Sequence, residues 1–104
     1  GIPALVTWAG LDLLPDAHPL RIGTFGVYGP RGGNFAVQNA DLVIGIGTRL
    51  SQNLTGGMLS SFAREAEIVM IDADAHEMTK FDGRGLSISL GIHARAADFI
   101  TALQ

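Results

Sequence analysis

The chain has 104 residues, 47% of them apolar and 16% charged, with a formal net charge of -3, which suits one packed domain and excludes a disordered segment. The acidic balance argues against a nucleic-acid surface, which needs a basic stripe, and no apolar run nears the ~20 residues of a bilayer span. Cysteine is absent, which removes disulfides, thiolate nucleophiles and cysteine-ligated zinc. No basic start leads into an apolar stretch and cleavage site, so no export signal is expected and the cytoplasm is the default compartment. So low a charge also fits a domain partly covered by other domains or subunits. The opening Gly1-Ile2-Pro3 lacks an initiator Met, and an excised piece of a larger protein is expected.

In chain order, Ala4 to Trp8 is short, apolar and β-branched, and reads as a buried strand. Pro15, Asp16, His18 and Pro19 mark an irregular connection. Glycines at 23, 26, 29, 32 and 33 make a loop in which the backbone can turn sharply and approach a ligand. Asn34 is placed to cap a helix running to Ala40. Leu42 to Ile46 is a second buried strand. Thr55-Gly56-Gly57 breaks the chain before an amphipathic helix from Met58 to Ala66. Glu67 to Ile71 is a third strand, closed by Asp72-Ala73-Asp74, and His76 to Lys80 suits a helical turn. Leu86 to Leu90 is a weaker fourth strand, and Ala94 to Leu103 a terminal helix. Strands alternating with helices predict an α/β fold, a parallel sheet with right-handed crossovers. Four strands is thin against the usual ~5–6.

The candidate chemistry lies at strand ends. In parallel sheets a ligand crevice opens beyond the carboxyl ends of the strands. Gly45-Ile46-Gly47 there serves either close packing or ligand approach, and Thr48-Arg49 adds a cation suited to bidentate phosphate binding. Asp72 and Asp74 can accept bonds from ribose hydroxyls, hold a metal, or cap the next helix, Asp74 being the better cap. Tyr28 stacks on a flat ring or plugs its loop. Trp8 reads as core or interface. His18, His76 and His93 are scattered, and the serines lack a nucleophile-elbow context. No nucleophile, base and oxyanion site assemble, so no catalytic residue and no metal ligand is expected. The chain reads as a binder of a nucleotide-type cofactor.

Beyond these residues, AVQNADLVIGIGTRL (36–50) resembles the central domain of thiamine-diphosphate-dependent enzymes of the acetolactate synthase type. DAHPLRIGTFGVYG (16–29) and TGGMLSSFAREAEIVMIDADAHEMTK (55–80) are similar to further blocks of that family, in the same order and spacing. The resemblance implies a Rossmann-like parallel sheet with flanking helices, of the NAD/FAD-binding type, lacking its first strand–helix unit. It implies that residues 1–104 are the central domain of a longer three-domain chain, a homodimer or homotetramer. The outer domains would bind thiamine diphosphate and magnesium, decarboxylate a 2-keto acid such as pyruvate and transfer the acyl unit. FAD would lie against Tyr28, Gly47, Thr48, Arg49, Asp72 and Ala73. Three stretches depart from the family pattern. Leu50-Ser51-Gln52-Asn53 stands where Phe-Asp-Asp-Arg is usual, Ala9-Gly10-Leu11-Asp12 replaces a Gly-Lys-Gly, and Ile92-His93 replaces a Gly-Asp. Losing that second Arg weakens a diphosphate site. The alternatives are a stand-alone or degenerate FAD/ADP-binding module, and the middle domain of a sugar-pathway thiamine-diphosphate enzyme.

Overall fold

The computed structural model describes residues 1–104. Five strands form two parallel sheets. Strand β1 (Ala4–Leu5) pairs with β2 (Arg21–Gly23). Strand β3 (Leu42–Ile46) pairs with β4 (Glu67–Asp72), and β4 with β5 (Leu90–His93), in the order β3-β4-β5. Helices α1 (Arg31–Gln38), α2 (Gln52–Thr55), α3 (His76–Thr79) and α4 (Ala96–Leu103) fill the connections. The expected α/β class and parallel Rossmann-like pairing stand, divided between two sheets. No helix is long and apolar enough to cross a membrane.

Strand β4 is the centre because Ile68, Met70 and Ile71 are each at most 1% exposed. A parallel strand flanked on both sides can be apolar throughout. Around it pack Phe25, Val37, Leu50, Phe62, Phe81 and Leu86, most of them from loops. Phe25 and Phe62 stack with ring centroids 6.4 Å apart. Strand β3 was expected to be buried, yet Leu42, Ile44 and Ile46 on one face remain 48, 40 and 37% exposed. Its other face carries half-buried Val43 and buried Gly45.

Local chemistry moves several boundaries. The first strand stops at Leu5, because the chain curls into a 3-10 turn at Trp8–Gly10 with the Gly10 N–H donating to the Thr7 carbonyl. Strand β2 was missed, being three residues long and wedged between Pro19 and the glycine loop. Helix α1 starts three residues before Asn34, after Pro30, which has no N–H to leave unpaired. Met58 to Ala66 holds only a 3-10 turn, Leu59–Ser61. Ala63 sits at φ 44, where a regular helix cannot continue. The fourth strand begins at Leu90 because Leu86 is drawn into the core instead. Arg95 is extended, so α4 begins at Ala96.

Candidate functional site

The carboxyl ends of β1 and β3 open onto one groove of about 320 Å³. Thr7, Trp8 and Ala9 follow β1 along it, and Gly47, Thr48 and Arg49 follow β3. Phe25 and Tyr28 come from the glycine loop, and Ser51, Asn53 and Leu54 close the rim.

The turn after β3 is tightly built. The Gly47 N–H donates to the Ile71 carbonyl at 2.9 Å, which extends the ladder past the strand. Gly47 has φ 65, and a Cβ there would come within 3.3 Å of the Ala96 methyl. Leu50 also lies in the left-handed region, at φ 48, yet is only 2% exposed. Such a conformation costs ~1 kcal/mol or more for a branched side chain, offset here by burial of the Leu50 side chain. The buried side chain pins the turn from below and leaves Arg49 exposed above it.

The glycine loop is fixed from two sides. Asn34 Oδ1 accepts the Gly26 N–H at 2.7 Å, and its Nδ2 donates to the carbonyls of Gly26 and Gly29. So Asn34 is no helix cap; it locks the loop. On the other side the Val27 N–H donates to the Asn53 carbonyl at 2.8 Å, joining the loop to the β3 side of the groove. Tyr28 is thereby held out at 71% exposure, which removes the plug reading. Trp8, 62% exposed, lies beside it with ring centroids 5.8 Å apart and planes 32° off parallel. Trp8 is thus neither core nor hidden. Its position after β1, as Gly47 follows β3, was the signal that could have placed it at the groove.

Tyr28, Gly47, Thr48 and Arg49 line one groove. Asp72 and Ala73 lie outside its lining, one strand over, where the Gly47–Ile71 bond keeps their backbone adjacent. Asp72 Oδ1 accepts the Asp74 N–H, and Asp74 Oδ1 accepts the N–H of His76, the first residue of α3. The Ala73 carbonyl accepts from His93 Nε2 at 2.9 Å. Asp74 therefore closes a turn just ahead of α3 and is not its cap, which is Ala75, while Asp72 keeps a second oxygen uncommitted by these bonds.

This donor set can hold a flat ring against Trp8 and Tyr28 and an anion at Arg49. Arg49 is the only cation in the lining, so the groove has one strong phosphate contact rather than the pair a diphosphate prefers. The lining holds no Asp, Glu or His, so it lacks the carboxylate through which magnesium on a diphosphate is usually bound.

Comparison with known proteins agrees with this architecture. The family model described as thiamine pyrophosphate enzyme, central domain, matches residues 1–103. A probable acetolactate synthase large subunit of Methanocaldococcus jannaschii is 40% identical over 79 residues, 76% of this chain and 13% of that protein. The isozyme 1 large subunit of acetolactate synthase from Escherichia coli is 31% identical over 103 residues, 99% of this chain and 18% of its own length. The acetolactate synthase large subunit of Mycobacterium tuberculosis is 38% identical over all 104 residues, which are 17% of that protein. The chain thus spans less than a fifth of these relatives. On the match of nearly every residue, the chain belongs to the family of thiamine pyrophosphate enzyme central domains.

Proposed function

We propose that residues 1–104 act as the central domain of a longer, thiamine-diphosphate- and magnesium-dependent enzyme of the acetolactate synthase type. It decarboxylates a 2-keto acid such as pyruvate and transfers the acyl unit to an acceptor. The observation that carries this reading is the 38% identity of all 104 residues to a stretch of an acetolactate synthase large subunit, 17% of that protein. Thiamine diphosphate and magnesium are held by parts of the protein outside these residues, in a cytoplasmic homodimer or homotetramer. When bound, the cofactor would supply the electron sink for decarboxylation; these residues would supply support and a second ligand site. The carboxyl ends of β1 and β3 both meet the groove, and each of these strands has an edge with no partner strand within residues 1–104.

In the groove, Arg49 takes a phosphate of an adenine-type nucleotide, FAD among them, with Gly47 and Thr48 leaving room for its approach. Tyr28 receives a flat ring, and Asp72 with Ala73 faces the ribose end beyond the lining. The solitary Arg49 favours one alternative on its own: a purely architectural domain whose nucleotide site is degenerate. Carbon dioxide release from pyruvate by the intact protein tests the first reading. Release should stop when thiamine diphosphate and magnesium are stripped and return when both are restored. Turnover indifferent to their removal rules the reading out.

A further inference from the structure

Lys80 follows α3 and reaches back 31 residues in sequence to the turn that carries Arg49. Its Nζ donates to the Arg49 carbonyl and to Glu77 Oε2, each at 2.5 Å. The Lys80 side chain is 29% exposed and that of Glu77 25%, so both stand in partial shelter. The ammonium also lies 4.9 Å from the ring centroid of Phe81, itself 3% exposed and part of the core. An ammonium on a carbonyl is a charge-assisted bond, stronger than a neutral pair. It meets the turn where Leu50 already sits at φ 48 with its side chain buried. Two anchors therefore flank the Arg49 α-carbon: the Gly47–Ile71 bond before it and Leu50 with Lys80 after it. The Arg49 side chain has no ion-pair partner of its own, so the main chain is what anchors it at the groove.

We propose that Lys80 is a positioning residue for the groove: it latches the main chain of Arg49 to α3 and so fixes where the guanidinium meets an anionic ligand. This rests on the reading that Arg49 binds an anion. The latch also ties Arg49 to the segment of Asp72 and Asp74, since Asp74 bonds the N–H of His76, the first residue of the helix that Lys80 follows. A ligand anion at Arg49 and the end of β4 are thereby held in register by one side chain that touches no ligand.

The test is a double-mutant cycle in the intact protein, with ADP as the probe in equilibrium dialysis. Lys80→Met keeps the stem on Phe81 and removes the charge. It should weaken ADP about three- to tenfold, and Lys80→Arg should restore part of the loss. In an Arg49→Ala background, Lys80→Met should add nothing. Equal loss in both backgrounds, or none in either, overturns the latch. Hydrogen exchange separates this from a failure of the nucleotide reading. Even if the unaltered protein ignores millimolar ADP, Lys80→Met should speed exchange at Leu54 and Thr55, whose N–H groups bond the Ser51 carbonyl, by about tenfold while β4 stays protected. Unchanged exchange at those amides also overturns the latch.

Discussion

The side chain of Asn34 holds both the N–H and the carbonyl of Gly26, eight residues earlier, in a reciprocal pair of 2.7 and 2.9 Å. One amide thus does for the glycine loop what a strand neighbour does for a sheet. It explains why Tyr28 projects from a loop that contains two glycines and yet keeps a defined place at the groove.

Asn34→Ala should loosen that loop. It removes three half-buried hydrogen bonds, a loss of about 1–3 kcal/mol, because the Gly26 N–H is left without a partner while its carbonyl keeps only the Gly29 N–H. A fall in melting temperature of the intact protein checks it. Asn34→Asp keeps only the acceptor and should lie between the two.

Gly33→Ala should be far more damaging than Gly32→Ala. A Cβ at Gly33 would stand 1.8 Å from the Thr24 carbonyl oxygen, a backbone atom that cannot step aside, whereas nothing lies within 4 Å of one at Gly32. Both residues are in α1, where Ala is otherwise the better helix former. Soluble yield and thermal denaturation of the two variants should therefore move in opposite directions.

Arg21→Met should disorder the connection from Leu11 to Asp16. The guanidinium donates to the carbonyls of Leu11 and Leu14 and pairs with Asp16 at 2.8 Å. Asp16 is 94% exposed and its pairing contributes little. The Arg21 side chain is only 10% exposed, and stranding the part-buried Leu14 carbonyl costs about 1–3 kcal/mol, while the exposed Leu11 carbonyl passes to water. Limited proteolysis should cut between residues 11 and 16 in the variant first, and Asp16→Asn should leave cleavage unchanged.

Arg49→Ala should lower nucleotide or flavin retention by about tenfold or more, the effect of one lost charge-assisted contact. The absorbance of the purified intact protein near the flavin bands reads it directly. A variant that keeps its full flavin content places the phosphate elsewhere. A protein with no flavin and no ADP affinity before substitution supports the architectural reading.

The parts of this molecule written in the sequence are those governed by local period and by fixed chemistry. Strand β4 was legible because a run of apolar β-formers admits little else, and the end of β3 because Gly-x-Gly beside Arg marks a strand stopping at an open place. Trp8 was not, since its assignment hung on whether the first strand ran two residues or five. That was settled by a hydrogen bond between Thr7 and Gly10. Strand β2 owes its existence to pairing with β1 and carries no period of its own. Asn34 carried the right type for a cap, and the tertiary position of Gly26 gave it another task. Lys80 was beyond reach for the same reason: its partner carbonyl is remote along the chain and carries no residue identity.

The bare face of β3 has a consequence for anyone handling residues 1–104 as an isolated polypeptide. Leu42, Ile44 and Ile46 stand in a row on a strand whose outer rim has unpaired N–H and C=O groups. Nothing charged within the strand deters a second molecule from pairing there. Such a preparation should cloud with rising concentration and temperature, through rim-to-rim aggregation.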